Sequence, residues 1–206
     1  MEKTTYQEKI KYFDAQVQAP WAFPEYGEEE WKKLNRLFQY TGSLSGLKVL
    51  EPGCGTGRLT QVLAERVGAE GQVVALDISA KMVEAARNRL AAHENVVIHL
   101  SAIENLSLEK DNFDLILCHQ VFPHFEDKGR VLNLMTGGLK RKGKLIVFHF
   151  IDFARINDRH RKAGTAVEHD MMPSRETMES LFREAGLKID LLVNDDLGYF
   201  LGARKD

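Results

Sequence analysis

From residue 48 onward, apolar runs alternate with stretches whose apolar residues recur at three- and four-residue intervals. The runs at 48–50, 72–76, 96–100, 113–118 and 144–150 predict five strands. Leu115, Ile116, Leu117 and Cys118 form one continuous run, and Leu145, Ile146, Val147 and Phe148 another. Continuous runs suit strands covered on both faces, as in a parallel sheet. Between them the spacing predicts helices over 58–67, 79–92 and 128–139. Ser79 is placed to cap the second of these, where Met82, Val83, Ala86 and Leu90 share one face. Gly137, Gly138, Lys142 and Gly143 mark a turn into the fifth strand.

Both ends of the chain differ from this rhythm. Tyr6, Ile10, Phe13 and Val17 give an apolar stripe that predicts an N-terminal helix. Pro20 and Pro24 interrupt it, and a second helix with Trp31, Leu34 and Phe38 is predicted over 28–41. Toward the C-terminus a helix begins after Ser174 and stops before Gly186. Strands at 187–193 and 197–203 follow, and Asn194, Asp195 and Asp196 between them predict a hairpin.

The expected fold is therefore α/β: a doubly wound, mostly parallel sheet of seven strands ending in an antiparallel hairpin, with helices in front. At 206 residues the chain reads as one domain, residues 1–206. Residues 1–44 form a helical lid or substrate region, 45–206 the core, and 151–173 an insert on the substrate side.

Composition narrows the function. A net charge of −2 offers no basic field for a nucleic-acid backbone or an anionic membrane, so neither is an expected partner. No stretch approaches membrane-spanning length, and the first residues carry no apolar leader. Two cysteines, Cys54 and Cys118, without a Cys-x-x-Cys pair read as reduced thiols of a cytoplasmic protein.

The chemistry begins where the first strand ends. Val49 and Leu50 close on Glu51, and Gly53, Gly55 and Gly57 follow at every second position before the helix. Glycine lets the chain turn sharply and brings its backbone close to a ligand. A strand turning through glycines into a helix N-terminus is a nucleotide-binding corner. The dinucleotide spacing Gly-x-Gly-x-x-Gly fails, because Arg58 and Thr60 stand where the third glycine would fall. The second strand ends in Asp77, twenty residues beyond Gly57, where an acid can accept two hydrogen bonds from a ribose diol.

The pattern Glu-x-Gly-x-Gly-x-Gly with Asp77 resembles motif I of the class I S-adenosylmethionine-dependent methyltransferases, in particular the small stand-alone enzymes similar to those of quinone biosynthesis. The resemblance implies a Rossmann-like fold whose seventh strand lies antiparallel between the fifth and sixth. It implies S-adenosylmethionine as cofactor and S-adenosylhomocysteine as product. Gly53, Cys54, Gly55 and Gly57 would meet the methionine part, with Glu51 near its ammonium group. Asp77 would hold the ribose, and Ile78 and Ile103 would contact adenine. Ala102 stands where relatives often have an acid, which leaves the exocyclic amine to Ser101, a carbonyl or water. His119, just after the fourth strand, would face the same crevice.

Methyl transfer to a hydroxyl or protonated amine needs a base, and histidine matches proton removal near neutral pH. Five of seven histidines lie after residue 118. His119, His124 and His149 are the catalytic candidates. Tyr12, Trp21, Phe23, His124, His160 and His169 are the substrate-pocket candidates. His149, His160, His169 and Asp170 include metal-ligand types, but their spacing matches no compact motif and no metal is expected.

The expected activity is methyl transfer to O, N or S of a small-molecule acceptor by a monomer or homodimer. Two alternatives stay open: a non-catalytic S-adenosylmethionine-binding regulator, and a protein or nucleic-acid methyltransferase. His119, Gln120, Val121 and Phe122 stand where an Asn/Asp-Pro-Pro-Tyr/Phe motif would mark the latter.

Overall fold

In a computed structural model, residues 6–22 and 24–206 are described, and Phe23 lies outside them. Two helices, α1 (Tyr6–Gln16) and α2 (Glu28–Thr41), precede the sheet. Then come β1 (Lys48–Pro52), α3 (Arg58–Val67), β2 (Gln72–Asp77), α4 (Ala80–Arg89) and β3 (Val96–Leu100). The second half runs β4 (Phe113–His119), α5 (Lys128–Gly138), β5 (Leu139–His149), α6 (Phe153–Lys162), α7 (Arg175–Glu184), β6 (Leu187–Asp195) and β7 (Gly198–Lys205). The strand order is β3-β2-β1-β4-β5-β7-β6, with β7 antiparallel to both neighbours.

The expected seventh-strand insertion is thus present. Strand order reverses between β1 and β4, so the crevice beyond their carboxyl ends is the place for a ligand. The continuous apolar runs are explained by covering on both faces. Val49, Leu115, Leu117, Ile146 and Phe148 pack with α2 and α3. Leu50, Ile116, Cys118, Leu145 and Val147 pack with α5, α6 and α7 on the other face. Alternate residues of one strand thereby enter different cores.

Local chemistry fixes the helix starts. The Ser79 hydroxyl accepts the Met82 N–H at 3.1 Å, Asp127 caps α5 and Asp152 caps α6 through the Arg155 N–H. Ser174 and Gly186 bound α7 as the sequence predicts. Two differences from expectation have clear causes. Strand β5 begins at Leu139, which pairs with Phe113. The register then shifts, so residues 140–143 form an irregularity rather than a free turn. Helix α6 fills half of the 151–173 insert, because the Asp152 cap starts a helix that periodicity alone did not reveal.

Among the described residues, no helix is long and apolar enough to cross a membrane. No group of three metal-ligating side chains among them is placed to hold a metal.

Candidate active site

A cavity of about 980 Å³, open to solvent, lies at the reversal point. Its floor is the glycine turn. Gly53, Gly55 and Gly57 have φ of +72°, +55° and +80°, the left-handed region that favours glycine. A Cβ on Gly53 would stand 2.3 Å from the Val121 side chain, so the turn passes against the segment after β4. A Cβ on Gly55 would meet nothing within 4 Å, so that side of the turn is open. Gly57 instead packs under α4, where a Cβ would crowd Leu90 and Ala86. It shapes the corner and does not line the cavity.

Two carboxylates flank this turn. Asp77 accepts the Gly55 N–H and the Ser79 N–H, each at 2.9 Å. Burial pushes its pKa up, and those N–H groups oppose the shift. Glu51 is 2% exposed and accepts the Thr60 hydroxyl at 2.7 Å. Burial pushes it up to about 8; the Thr60 bond opposes this and the Asp77 charge adds to it. Among the described residues no cation stands beside the Glu51 carboxyl, which leaves it free to ionise against a cationic ligand. Burial likewise holds the Cys54 thiol well above its ordinary pKa, so Cys54 serves as a protonated wall residue. Ile78, Ala102 and Ile103 complete the apolar part of this wall.

The opposite wall carries histidines, and they differ sharply. His119 stacks on Phe148 and meets Phe150 edge-on, with ring centroids at 5.1 and 4.6 Å. Its Nδ1 lies 3.2 Å from the Phe148 carbonyl, which can only accept, so that nitrogen carries the proton. Its Nε2 accepts from Gln120 at 3.3 Å. Burial lowers its pKa to about 3. His119 lines the cavity as a neutral ring and is a weak proton acceptor. Gln120 beside it adopts φ +55°, a strained conformation at the end of β4.

His149 does not reach the cavity. Strand alternation turns it away from Phe148 and Phe150, and it sits edge-on to Tyr199 at 6.5 Å. Burial holds it neutral, with a pKa well below the ordinary value. His124, in a short 3-10 turn over 122–124, does line the cavity. Its Nδ1 stands 2.8 Å from Asp170 Oδ2. Burial raises Asp170, but the hydrogen bond and charge of His124, and then those of Lys9, outweigh it and hold the carboxyl below its usual range. Asp170 is therefore ionised, and the His124 Nδ1–H donates to it.

His160 backs this pair without lining the cavity: its ring lies 4.8 Å from His124, and its Nδ1–H donates to the Asp170 carbonyl. Burial, then the His124 charge, lowers its pKa to about 4. His169 is a correction: it is exposed, pairs with Glu168 at 3.4 Å and stands away from the cavity. Residues 165–169 form consecutive turns, with the Asp170 N–H bonded to the Val167 carbonyl, and this fold buries Asp170 while leaving His169 exposed. Trp21 stands at the mouth, 51% exposed. Tyr12 packs edge-on to Phe13, and it is Phe13 that borders the cavity and meets the His124 ring at 5.1 Å.

Sequence reasoning missed several wall residues. Arg58 lies over the Tyr26 ring at 4.1 Å and is paired with Glu30. Tyr6 packs against Glu104, and burial and that carboxylate raise its phenol well above the ordinary pKa. A signal existed for Lys9, which falls on the same helical face as Tyr6 and Phe13. Nothing in the sequence paired it with Asp170.

Residues 43–186 match the family model described as a methyltransferase domain. The chain is 30% identical over 187 residues to a ubiquinone/menaquinone biosynthesis C-methyltransferase of Idiomarina loihiensis, covering 78% of this chain and 73% of that one. It is also 30% identical over 152 residues to a malonyl-[acyl-carrier protein] O-methyltransferase of Acetivibrio thermocellus, covering 72% and 53%. A crystal structure of an S-adenosylmethionine-dependent methyltransferase from Aquifex aeolicus superposes with a TM-score of 0.67 over 98% of both chains, at 20% identity.

Proposed function

We propose, for a chain that belongs to the class I S-adenosylmethionine-dependent methyltransferases, that the cavity between β1 and β4 is its methyl-transfer site, that the acceptor is a small organic molecule, and that His124 is the base. One observation carries this reading: a single cavity brings Glu51 and Asp77 opposite the Asp170-oriented His124.

The residues present fit the family's cofactor. A buried carboxyl with no cation beside it among the described residues suits an ammonium group at Glu51. The open side of Gly55 admits a ligand against the backbone. Asp77 suits a diol, and Ile78 and Ile103 suit an apolar ring face. When bound, S-adenosylmethionine supplies an electrophilic methyl group and a neutral thioether leaving group. Everything else falls to the chain. Phe13, Trp21 and Tyr26 border the acceptor side and exclude water. The Asp170 carboxylate holds the His124 ring with Nδ1 protonated, which leaves Nε2 to take the acceptor's proton. The resulting imidazolium is stabilised by the adjacent carboxylate.

The named relatives methylate carbon or oxygen. Carbon therefore joins O, N and S as an acceptor atom. Both cases favour an acceptor that becomes nucleophilic on losing an acidic proton, such as a phenol or an enolisable carbonyl compound.

Calorimetric titration with S-adenosylhomocysteine tests the cofactor half. Binding in the micromolar range is expected, and Asp77→Ala should weaken it by roughly tenfold or more, as befits lost hydrogen bonds to a charged group. No binding to the unaltered chain would overturn the cofactor site. Unchanged affinity in the variant would overturn the ribose assignment.

A further inference from the structure

Lys9 is a lysine almost wholly removed from water, 3% exposed, on a helix that precedes the sheet. Its Nζ lies 2.7 Å from Asp170 Oδ1 and 3.0 Å from the His124 carbonyl. Asp170 thus divides its two oxygens between Lys9 and His124. These three residues come from α1, the turn after β4 and the segment after α6, and Lys9 and Asp170 are 161 positions apart.

A buried ammonium costs several kcal/mol to strip of water, and a buried ion pair often stabilises no better than apolar side chains of the same volume. Packing alone is therefore a poor account of Lys9. Methionine would cover the same surface without that cost.

We propose that Lys9 is a positioning residue for the base: by seating α1 on the segment after α6, it fixes the Asp170 carboxylate against His124, so that the acceptor side is complete only while α1 is docked. This rests on the reading of His124 as base.

The surroundings support a role specific to that pair. His160 holds the Asp170 carbonyl and not the carboxylate. The Lys128 ammonium is directed to the Pro123 and Phe125 carbonyls at 2.9 and 2.8 Å. Among the described residues, Lys9 is thus the cation that meets Asp170 Oδ1. Helix α1 also has a second tether: Asp14 accepts the Ser79 hydroxyl at 2.5 Å and the Lys81 N–H at 3.2 Å. A change at Lys9 therefore need not detach the helix.

The test reads one proton and needs neither acceptor nor cofactor. Full-length protein with nitrogen-15-labelled histidine should show a downfield, slowly exchanging Nδ1–H resonance, assigned to His124 by its loss in His124→Gln. In Lys9→Met that proton should exchange with water at least tenfold faster, and Lys9→Arg should restore slow exchange. Should Lys9→Met fail to fold, Lys9→Gln keeps a donor of nearly the same reach without the charge and should speed exchange likewise. Wild-type exchange in the uncharged variant, or no rescue by arginine, overturns the proposal. Failure of the unaltered protein to bind S-adenosylhomocysteine would instead count against the functional reading and leave the proton result standing.

Discussion

On the β1–β2 side of the cavity, main chain holds Asp77 through the Gly55 and Ser79 N–H groups, and the glycine turn is seven consecutive residues, from Glu51 at its head to Gly57. On the β4–β5 side, side chains hold one another: His124 is fixed by Asp170, and Asp170 by Lys9 from a helix at the far end of the sequence. The first wall is set by backbone conformation, which a side-chain substitution elsewhere leaves alone. The second is set by charge and reach, so exchanging one side chain can undo it. Binding and chemistry should therefore fail separately.

The sharpest division is expected from His124→Gln. With an acceptor turned over by the unaltered enzyme, loss of a positioned base should lower kcat by about 10²–10⁴-fold. Asp170→Asn should lower it too, since the ring loses its orienting acceptor. S-adenosylhomocysteine affinity should stay within about twofold in both, because the β1–β2 wall is untouched. Turnover retained in His124→Gln would mean the acceptor arrives already ionised, and the second wall would then serve shape alone.

A medium-sized effect should appear in pH dependence, with opposite signs on the two walls. The folded chain holds the Glu51 proton up to about 8, against an ordinary value of 4.5. That contribution to stability is complete below 4.5 and is lost as pH rises toward 8. His119 runs the other way: lowered from 6.5 to about 3, its contribution is present above 6.5 and is lost as pH falls toward 3. In thermal unfolding across pH 4.5 to 8, Glu51→Gln should remove part of the alkaline decline shown by the unaltered protein. A cationic ligand favours the Glu51 carboxylate, so S-adenosylhomocysteine should bind more tightly as pH rises through that window. Calorimetry in buffers of different ionisation enthalpy should register a released proton. A pH-independent affinity with no proton release would remove Glu51 from the ammonium site.

The same contrast explains what could be read from the residues. The glycine turn, Asp77 and the succession of strands and helices were legible because each depends on neighbours in sequence: φ above zero at alternate glycines, an acid at a strand end, apolar runs in succession; the sheet order came only with the family resemblance. The histidine wall was legible only as residue types. His119, His124 and His149 look alike in sequence, yet strand alternation sends His149 away, aromatic burial makes His119 neutral, and only His124 meets a carboxylate. That carboxylate belongs to Asp170, 46 positions away, and no local periodicity encodes such a pairing.

The smallest effect is expected at His169, and it tests where the second wall ends. Its neighbour Asp170 is buried, while His169 itself is exposed, with its Nε2 3.4 Å from a Glu168 carboxylate oxygen. An exposed pair of this kind is worth less than about 1 kcal/mol. His169→Ala should therefore leave S-adenosylhomocysteine affinity and turnover within twofold, and should move the unfolding midpoint by no more than a few degrees. The substitution also keeps the main chain that presents Asp170, whose N–H is bonded to the Val167 carbonyl. A tenfold loss of turnover with unchanged stability would show that the segment after α6 turns His169 inward during the reaction. The wall built by side chains would then be larger than the Lys9–Asp170–His124 contacts define, and its orienting carboxylate would have to move with it.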